Sequence, residues 1–388
     1  MAVLLESLAS RGVHVDVLFK RDRALTQPAS FGDTIHLEPL PEPFSQPLLR
    51  RALPDRLRRF FVRHGRRVVS GAAERTLIGR LGDSGYSLLV GVDPFGITLA
   101  NRLKERTSAP LAYISFEILF EDELGTSAER ALFEMERAAC RRTSLVLLPD
   151  EERARLFCRE RAVSRQQVVI APVAPAPQRV PRSDDLRGMF GLPASARIVL
   201  YCGALERWAC SDELGDMVAH WPDRFRLVIH RPPIGNGQMA AVLKRLGKLE
   251  RVHVSAEPVS RKDLPRLVAS ADFGLALYKP VPGEWWTGKN IYHLGLSSGK
   301  VALYAMCGLP ILARSLPVFE REFARYACGE VYREVERTGE LLSRMDGRYA
   351  DYREGALRFY RERLDPVDGI NRFCDGLMRL ARHQPASG

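Results

Sequence analysis

Ser297-Ser298-Gly299-Lys300-Val-Ala-Leu303-Tyr304-Ala-Met-Cys307-Gly308-Leu-Pro310-Ile-Leu-Ala313 reads as a helix running straight into a buried strand. The serines and glycine suit a helix start, and Gly308-Leu-Pro310 stops it. The apolar run Leu309–Ala313 then has strand length and no polar alternation, the mark of a strand covered on both faces. One such unit predicts an α/β fold. The same rhythm recurs on both sides of it. Arg197–Cys202, Phe225–His230, Val252–Val254 and Phe273–Tyr278 read as strands, with helices over Leu186–Phe190, Gln238–Leu246, Lys262–Ala269 and Lys300–Cys307.

Pro172-Val-Ala-Pro175-Ala-Pro177-Gln-Arg-Val-Pro181 places four prolines in ten residues, a stiff linker. Ahead of it, Val13–Phe19, Leu88–Val92, Leu111–Ser115, Leu145–Leu148 and Val168–Ala171 read as strands, with helices over Ile97–Lys104 and Glu129–Ala139. Thr126-x-x-Glu129 is a capping-box signature for the second helix. Two α/β units joined by a proline hinge are expected, and the segment from Tyr349 to His383 is long and helical enough to return across it. The front is unusual: Met1 to Ser10 already reads as the first helix, where a doubly wound unit begins with a central strand and a turn. Either the start lies downstream of the true one, which we favour, or the first domain lacks its first strand, which leaves sheet edges unpaired.

Of the 388 residues, 46% are hydrophobic and 27% charged, which excludes a disordered chain. The net charge of +11 admits anionic partners. Seven scattered cysteines without a C-x-x-C pair argue against a disulfide scaffold or zinc ribbon and fit a reducing cytoplasm. No apolar run is long enough to cross a membrane, the start does not read as a secretory leader, and no metal spacing such as H-E-x-x-H occurs. No nucleic-acid-binding motif accompanies the charge, so nucleic acid is not an expected partner.

Several residues are candidates for chemistry. Ser297, Ser298, Gly299 and Lys300 open a helix whose free N–H groups and dipole favour phosphate; the plain alternative is a capping serine and a solvated lysine. It is not a Walker loop, because Leu294 stands where a glycine is needed and Val301 follows the lysine. His230 ends a strand and can touch phosphate. In Pro282-Gly-Glu284-Trp285-Trp286-Thr-Gly-Lys289-Asn290, the tryptophans either stack on a ligand ring or bury against a neighbour. Glu117 follows a strand, at the edge that faces the cleft in doubly wound folds, and can act as a general base; its alternative is a solvated acidic segment. Asp93 also ends a strand, with helix capping its commoner role. Arg50 to Arg67 holds eight arginines against Asp55 alone, with Leu49, Leu53, Leu57, Phe60 and Phe61 at helical spacing. Residues 49–69 therefore read as a basic amphipathic helix, either on an anionic membrane surface or packed on the sheet.

The stretch Ser297 to Pro310 resembles the donor-site segment of GT-B glycosyltransferases, particularly the broad family 4-like group (glycosyl transferases group 1), with Ser297, Lys300, Tyr304, Gly308 and Pro310 at matching places. Tyr201-Cys-Gly203-Ala-Leu-Glu-Arg207-Trp208 is similar to the first strand and glycine loop of their donor domain, and Ser270-Ala-Asp272-Phe-Gly-Leu-Ala-Leu to the strand before the donor loop. Leu4 to Phe19 looks like the first helix and second strand of the acceptor domain. The resemblance implies two Rossmann-like domains facing a cleft: an acceptor-side domain over 1–176, a nucleotide-sugar donor domain over 177–345, and C-terminal helices over 346–388 packing back on the first. It implies a metal-independent, hexosyltransferase-like enzyme without a resident cofactor. The enzyme would move sugar from a nucleotide sugar to a glycan, lipid-linked or small-molecule acceptor in cell-envelope or polysaccharide assembly, in the cytoplasm or at the inner membrane face. With His230 and the loop residue Asn290, the expected donor contacts are Gly203, Arg207, His230, Asn290, Ser297, Ser298, Gly299, Lys300 and Tyr304. The chain departs from the family at its two signature glutamates, where it has Gly295 and Leu303. Glu284 is then a substitute acceptor for ribose, and a catalytically degenerate partner subunit that binds nucleotide or glycan is the alternative reading.

Overall fold

A computed structural model describes residues 1–19, 33–40, 75–203, 205–210, 212–230, 237–255 and 257–382. The basic stretch 49–69 lies outside the described residues. The first half carries β1 (Val15–Phe19) and β2 (Ile35–Pro39), then β3 (Leu89–Val92), β4 (Leu111–Ile114), β5 (Thr143–Leu148) and β6 (Val168–Ile170). The second carries β7 (Arg197–Cys202), β8 (Phe225–His230), β9 (Val252–Ser255), β10 (Phe273–Ala276), β11 (Ile311–Arg314) and β12 (Gly329–Tyr332). Among the described residues all strand pairings are parallel, in three sheets ordered β1-β2, β3-β4-β5-β6 and β12-β11-β10-β7-β8-β9. The proline stretch is an extended connection without regular structure between β6 and the helix Asp185–Phe190.

The six-stranded sheet is buried on both faces. Alternate residues divide between them: Ile198, Leu200 and Val228 join one core with Tyr304, while Val199, Tyr201, Leu227 and Phe273 join the other. Gly274 of β10 lets the helix Gly299–Met306 lie close, since a Cβ there would sit 2.4 Å from the Tyr304 ring. That approach fixes the helix start over the C-terminal ends of the strands, where α/β sheets bind ligands.

In the first half, β1 and β3 are not hydrogen-bonded to each other and belong to separate sheets, although they share cores. Leu18 shares a core with Leu89 and Leu111, and Val13 and Val15 share another with Leu88 and Val92. Among the described residues no strand pairs with the free edge of β1 or of β3. Val90 of β3 is 38% exposed. The last helix, Val367–Arg382, returns to this half, burying Ile370, Phe373 and Leu377 against Leu4, Leu8 and Leu147. Gly369 permits this contact, because a Cβ there would lie 2.1 Å from the Ile170 carbonyl oxygen.

Candidate functional site

The site is built around Lys300. Ser298 caps its helix, its Oγ accepting from Val301 N at 3.2 Å and pairing with the Tyr278 hydroxyl at 2.6 Å. Lys300 Nζ is buried and has no hydrogen-bond partner among the described residues. It lies 4.6 Å from the Tyr201 ring centroid and 4.8 Å from that of Tyr278, an aromatic cradle that attracts a cation without neutralising it. Burial lowers its ammonium to about 8. Gly203 lies beside it with φ +150°, and a Cβ there would be 3.0 Å from Nζ. Tyr304 accepts a hydrogen bond from Cys202 N at 2.9 Å, which holds the end of β7 to this helix. A wholly buried cation without a counter-charge is costly, and an anion placed against Gly203 and the helix start would relieve it.

The other sequence candidates divide. His230 is buried at the end of β8 with Nδ1 3.0 Å from Ser255 Oγ, and burial lowers its pKa. Arg207 is exposed on the short turn after the Gly203 loop. Ser297 donates to Leu294 O at 2.5 Å, and Gly299 is half-buried against Val173. Glu284 is exposed, and its carboxylate accepts from Thr287 Oγ1 at 2.8 Å, closing its own turn. Asn290 faces the first domain: its Oδ1 accepts from Ile118 N (2.8 Å) and Arg153 Nη2 (3.1 Å), and its Nδ2 donates to Ile118 O (2.7 Å) and Trp285 O (2.8 Å). Two acceptor and two donor positions are thereby filled, so its amide has none left for a donor substrate. Trp285 packs with Leu119, Leu124 and Phe133, whereas Trp286 is 44% exposed.

Glu117 stands just past β4, beside Arg153 and Asp93. Burial raises its carboxyl to about 7, Arg153 opposing and Asp93 adding to the shift. Asp93 does not cap its own helix. It adopts φ 54°, and its Oδ1 accepts from Phe116 N (2.7 Å) and Glu117 N (3.1 Å), clamping the loop that carries Glu117.

Sequence reasoning missed the aromatic cradle and two residues of the first domain. Tyr278 lies inside a run read only as strand. Asp150 and Arg153 sit in Asp150-Glu-Glu-Arg153-Ala-Arg, a charged stretch that looks like a solvated helix start, yet they are 6% and 1% exposed. Among the described residues no cluster of three or more His, Cys, Asp or Glu could hold a metal ion, and no helix is long and apolar enough to cross a membrane.

No family model and no curated protein matches the chain. Solved structures do. The chain is similar to Anabaena HepE, determined in complex with UDP and glucose, at 15% identity and TM-score 0.66, over 97% of this chain and 95% of that one. It is similar to WaaG, a glycosyltransferase involved in lipopolysaccharide biosynthesis, at 16% identity and TM-score 0.65, over 97% and 94%. Sucrose-phosphate synthase from Thermosynechococcus elongatus aligns at 14% identity and TM-score 0.68, over 98% and 91%. The architecture is therefore that of the GT-B glycosyltransferases, two Rossmann-like domains spanning nearly the whole chain.

Proposed function

We propose that the chain is a glycosyltransferase that moves a sugar from a nucleotide sugar to a glycan, lipid-linked or small-molecule acceptor, in cell-envelope or polysaccharide biosynthesis. The observation that carries this reading is the partnerless ammonium of Lys300 beside Gly203, at the start of the helix Gly299–Met306. There it would take the diphosphate of the donor, with Ser298 and the helix N-terminus around it. HepE, which shares the fold, was determined with UDP bound. As the bond between the sugar and the diphosphate breaks, negative charge collects on the leaving oxygen, and a fixed cation lowers that barrier. Glu117, raised to about 7 by burial, would accept the proton from the acceptor hydroxyl that forms the new bond. No part of this scheme calls on a metal. Residues 49–69, where basic and apolar positions share helical spacing, would bring the enzyme to an anionic membrane surface carrying the acceptor.

A second reading has its own support. Gly295 has φ +56°, and a Cβ there would lie 1.9 Å from Asp150 Oδ2, so a carboxylate side chain at 295 does not fit. This favours a nucleotide- or glycan-binding subunit without transfer activity. Donor turnover over a panel of UDP-, GDP- and ADP-sugars separates the two. Release of free nucleotide that Glu117→Gln abolishes supports transfer; tight binding without release supports the subunit. Absence of binding to every donor refutes transfer and nucleotide binding alike.

A further inference from the structure

Residues 288–296 belong to the second domain and lead directly into the anion pocket, yet the first domain grips them along their length. Glu123 Oε1 accepts from Lys289 N at 2.9 Å, and Lys289 Nζ pairs with Asp122. Arg153 Nη1 donates to His293 O (2.8 Å) and Asn290 O (3.3 Å), and its Nη2 to Asn290 Oδ1 (3.1 Å) and to Phe116 O (2.5 Å). Asp150 Oδ2 accepts from Leu296 N at 2.8 Å, while its Oδ1 caps the helix Glu151–Arg161 through Arg153 N at 2.9 Å. His293 Nδ1 meets Glu152 at 3.1 Å. One guanidinium, 1% exposed, thus joins the carbonyl preceding Glu117 to the segment that precedes Ser297.

We propose that Arg153 is a positioning residue for the pocket on the opposite domain: by holding residues 290–296 across the interface, it sets the affinity of the Lys300 pocket for a nucleoside diphosphate and ties that affinity to the loop bearing Glu117. This rests on the reading of Lys300 given above. Arg153 touches no ligand in this scheme. Its guanidinium satisfies backbone carbonyls of both domains at once, and that geometry exists only while they are closed on each other. Loss of the bridge leaves buried carbonyls unpaired, which favours opening. Because linkage is reciprocal, a diphosphate held at Lys300 also favours the arrangement in which Arg153 sits against the Phe116–Glu117 loop.

The test has two readouts. In the ligand-free protein, amide exchange of residues 288–296 is measured for the parent chain, Arg153→Met, Arg153→Lys and Gly295→Ala. UDP affinity is measured by calorimetry on the same four proteins, well below their unfolding temperatures. Arg153→Met is expected to speed exchange in 288–296 without doing so in β7, β8 or β10, and to weaken UDP binding about five- to hundredfold, the usual span of coupling between sites. Arg153→Lys, which keeps charge but not the fork, should recover part of the affinity. Gly295→Ala loosens the first domain's neighbouring grip on the same segment, by forcing Asp150 off Leu296, and covers the case in which Arg153→Met does not fold. Unchanged affinity and exchange in Arg153→Met and Gly295→Ala overturn the inference. If the parent chain binds none of UDP, GDP and ADP, the reading of Lys300 fails instead, while the exchange data still decide whether Arg153 holds the segment.

Discussion

Lys300 is a stability cost in the free protein, and substitution tests both that cost and the role proposed for it. Its ammonium titrates near 8 in the fold against 10.5 when exposed, so the charged form opposes folding. Stability from this residue is present above 10.5 and is lost as pH falls through about 8. Lys300→Met should therefore raise the stability of the free protein near neutral pH by on the order of 2–3 kcal/mol, read from denaturant unfolding, while removing UDP binding. A bound diphosphate needs the charged amine, so binding should take up a proton near pH 8, and affinity should fall about tenfold per unit above it. Calorimetry in buffers of different ionisation enthalpy checks this. A flat affinity from pH 7 to 10 would place the anion elsewhere. Glu117 has the opposite sign. Its carboxyl moves up from 4.5 to about 7, so its contribution is full below 4.5 and is lost as pH rises through about 7. Glu117→Gln should flatten that part of the stability profile and leave the variant more stable than the parent at pH 8. If Glu117 is the base, the same change removes the rise in transfer rate near pH 7.

At the scale of elements, the helix Gly299–Met306 matters most, and Gly274 sets its distance from the sheet. Gly274→Ala should cost about 1–3 kcal/mol by overpacking against Tyr304, which must move away from Cys202 N, and UDP affinity should fall with it. Thermal unfolding together with calorimetry reads both; an unaltered Tm would show that the helix tolerates displacement. This helix and the strand after it were legible in sequence because capping, period and stop signals agree. The buried strands of the second domain were legible for the same reason: a strand covered on both faces is apolar at every position. β2, with His36 and Glu38 between apolar residues and Pro39 at its end, and the short edge strand β12, led by glycine, give no such signal. The site was legible only in part. Ser298, Gly203 and Lys300 stand in local motifs, but Tyr278, Asp150 and Arg153 reach it through tertiary packing that local pattern does not encode. Asn290 shows the converse. Its place in a polar loop suggested a ligand contact, and the fold gives all of its hydrogen bonds to the first domain and its own loop.

At the scale of the whole molecule, two α/β halves are tied by a final helix that docks on the half from which the chain began. Gly369 and Gly376 sit where that helix touches β6 and β5. The edges of β1 and β3 that meet no strand among the described residues have a physical consequence beyond the fold. Each strand keeps one row of backbone amides and carbonyls with no strand partner among the described residues, and Val90 is exposed on one of them. Where such rows stay free they recruit strands from neighbouring molecules, and solutions of the chain should then become turbid with rising concentration and bind amyloid-sensitive dyes on mild warming, before the cores melt. A charge placed on the row, Val90→Lys, should delay that onset without shifting the unfolding temperature by more than a few degrees.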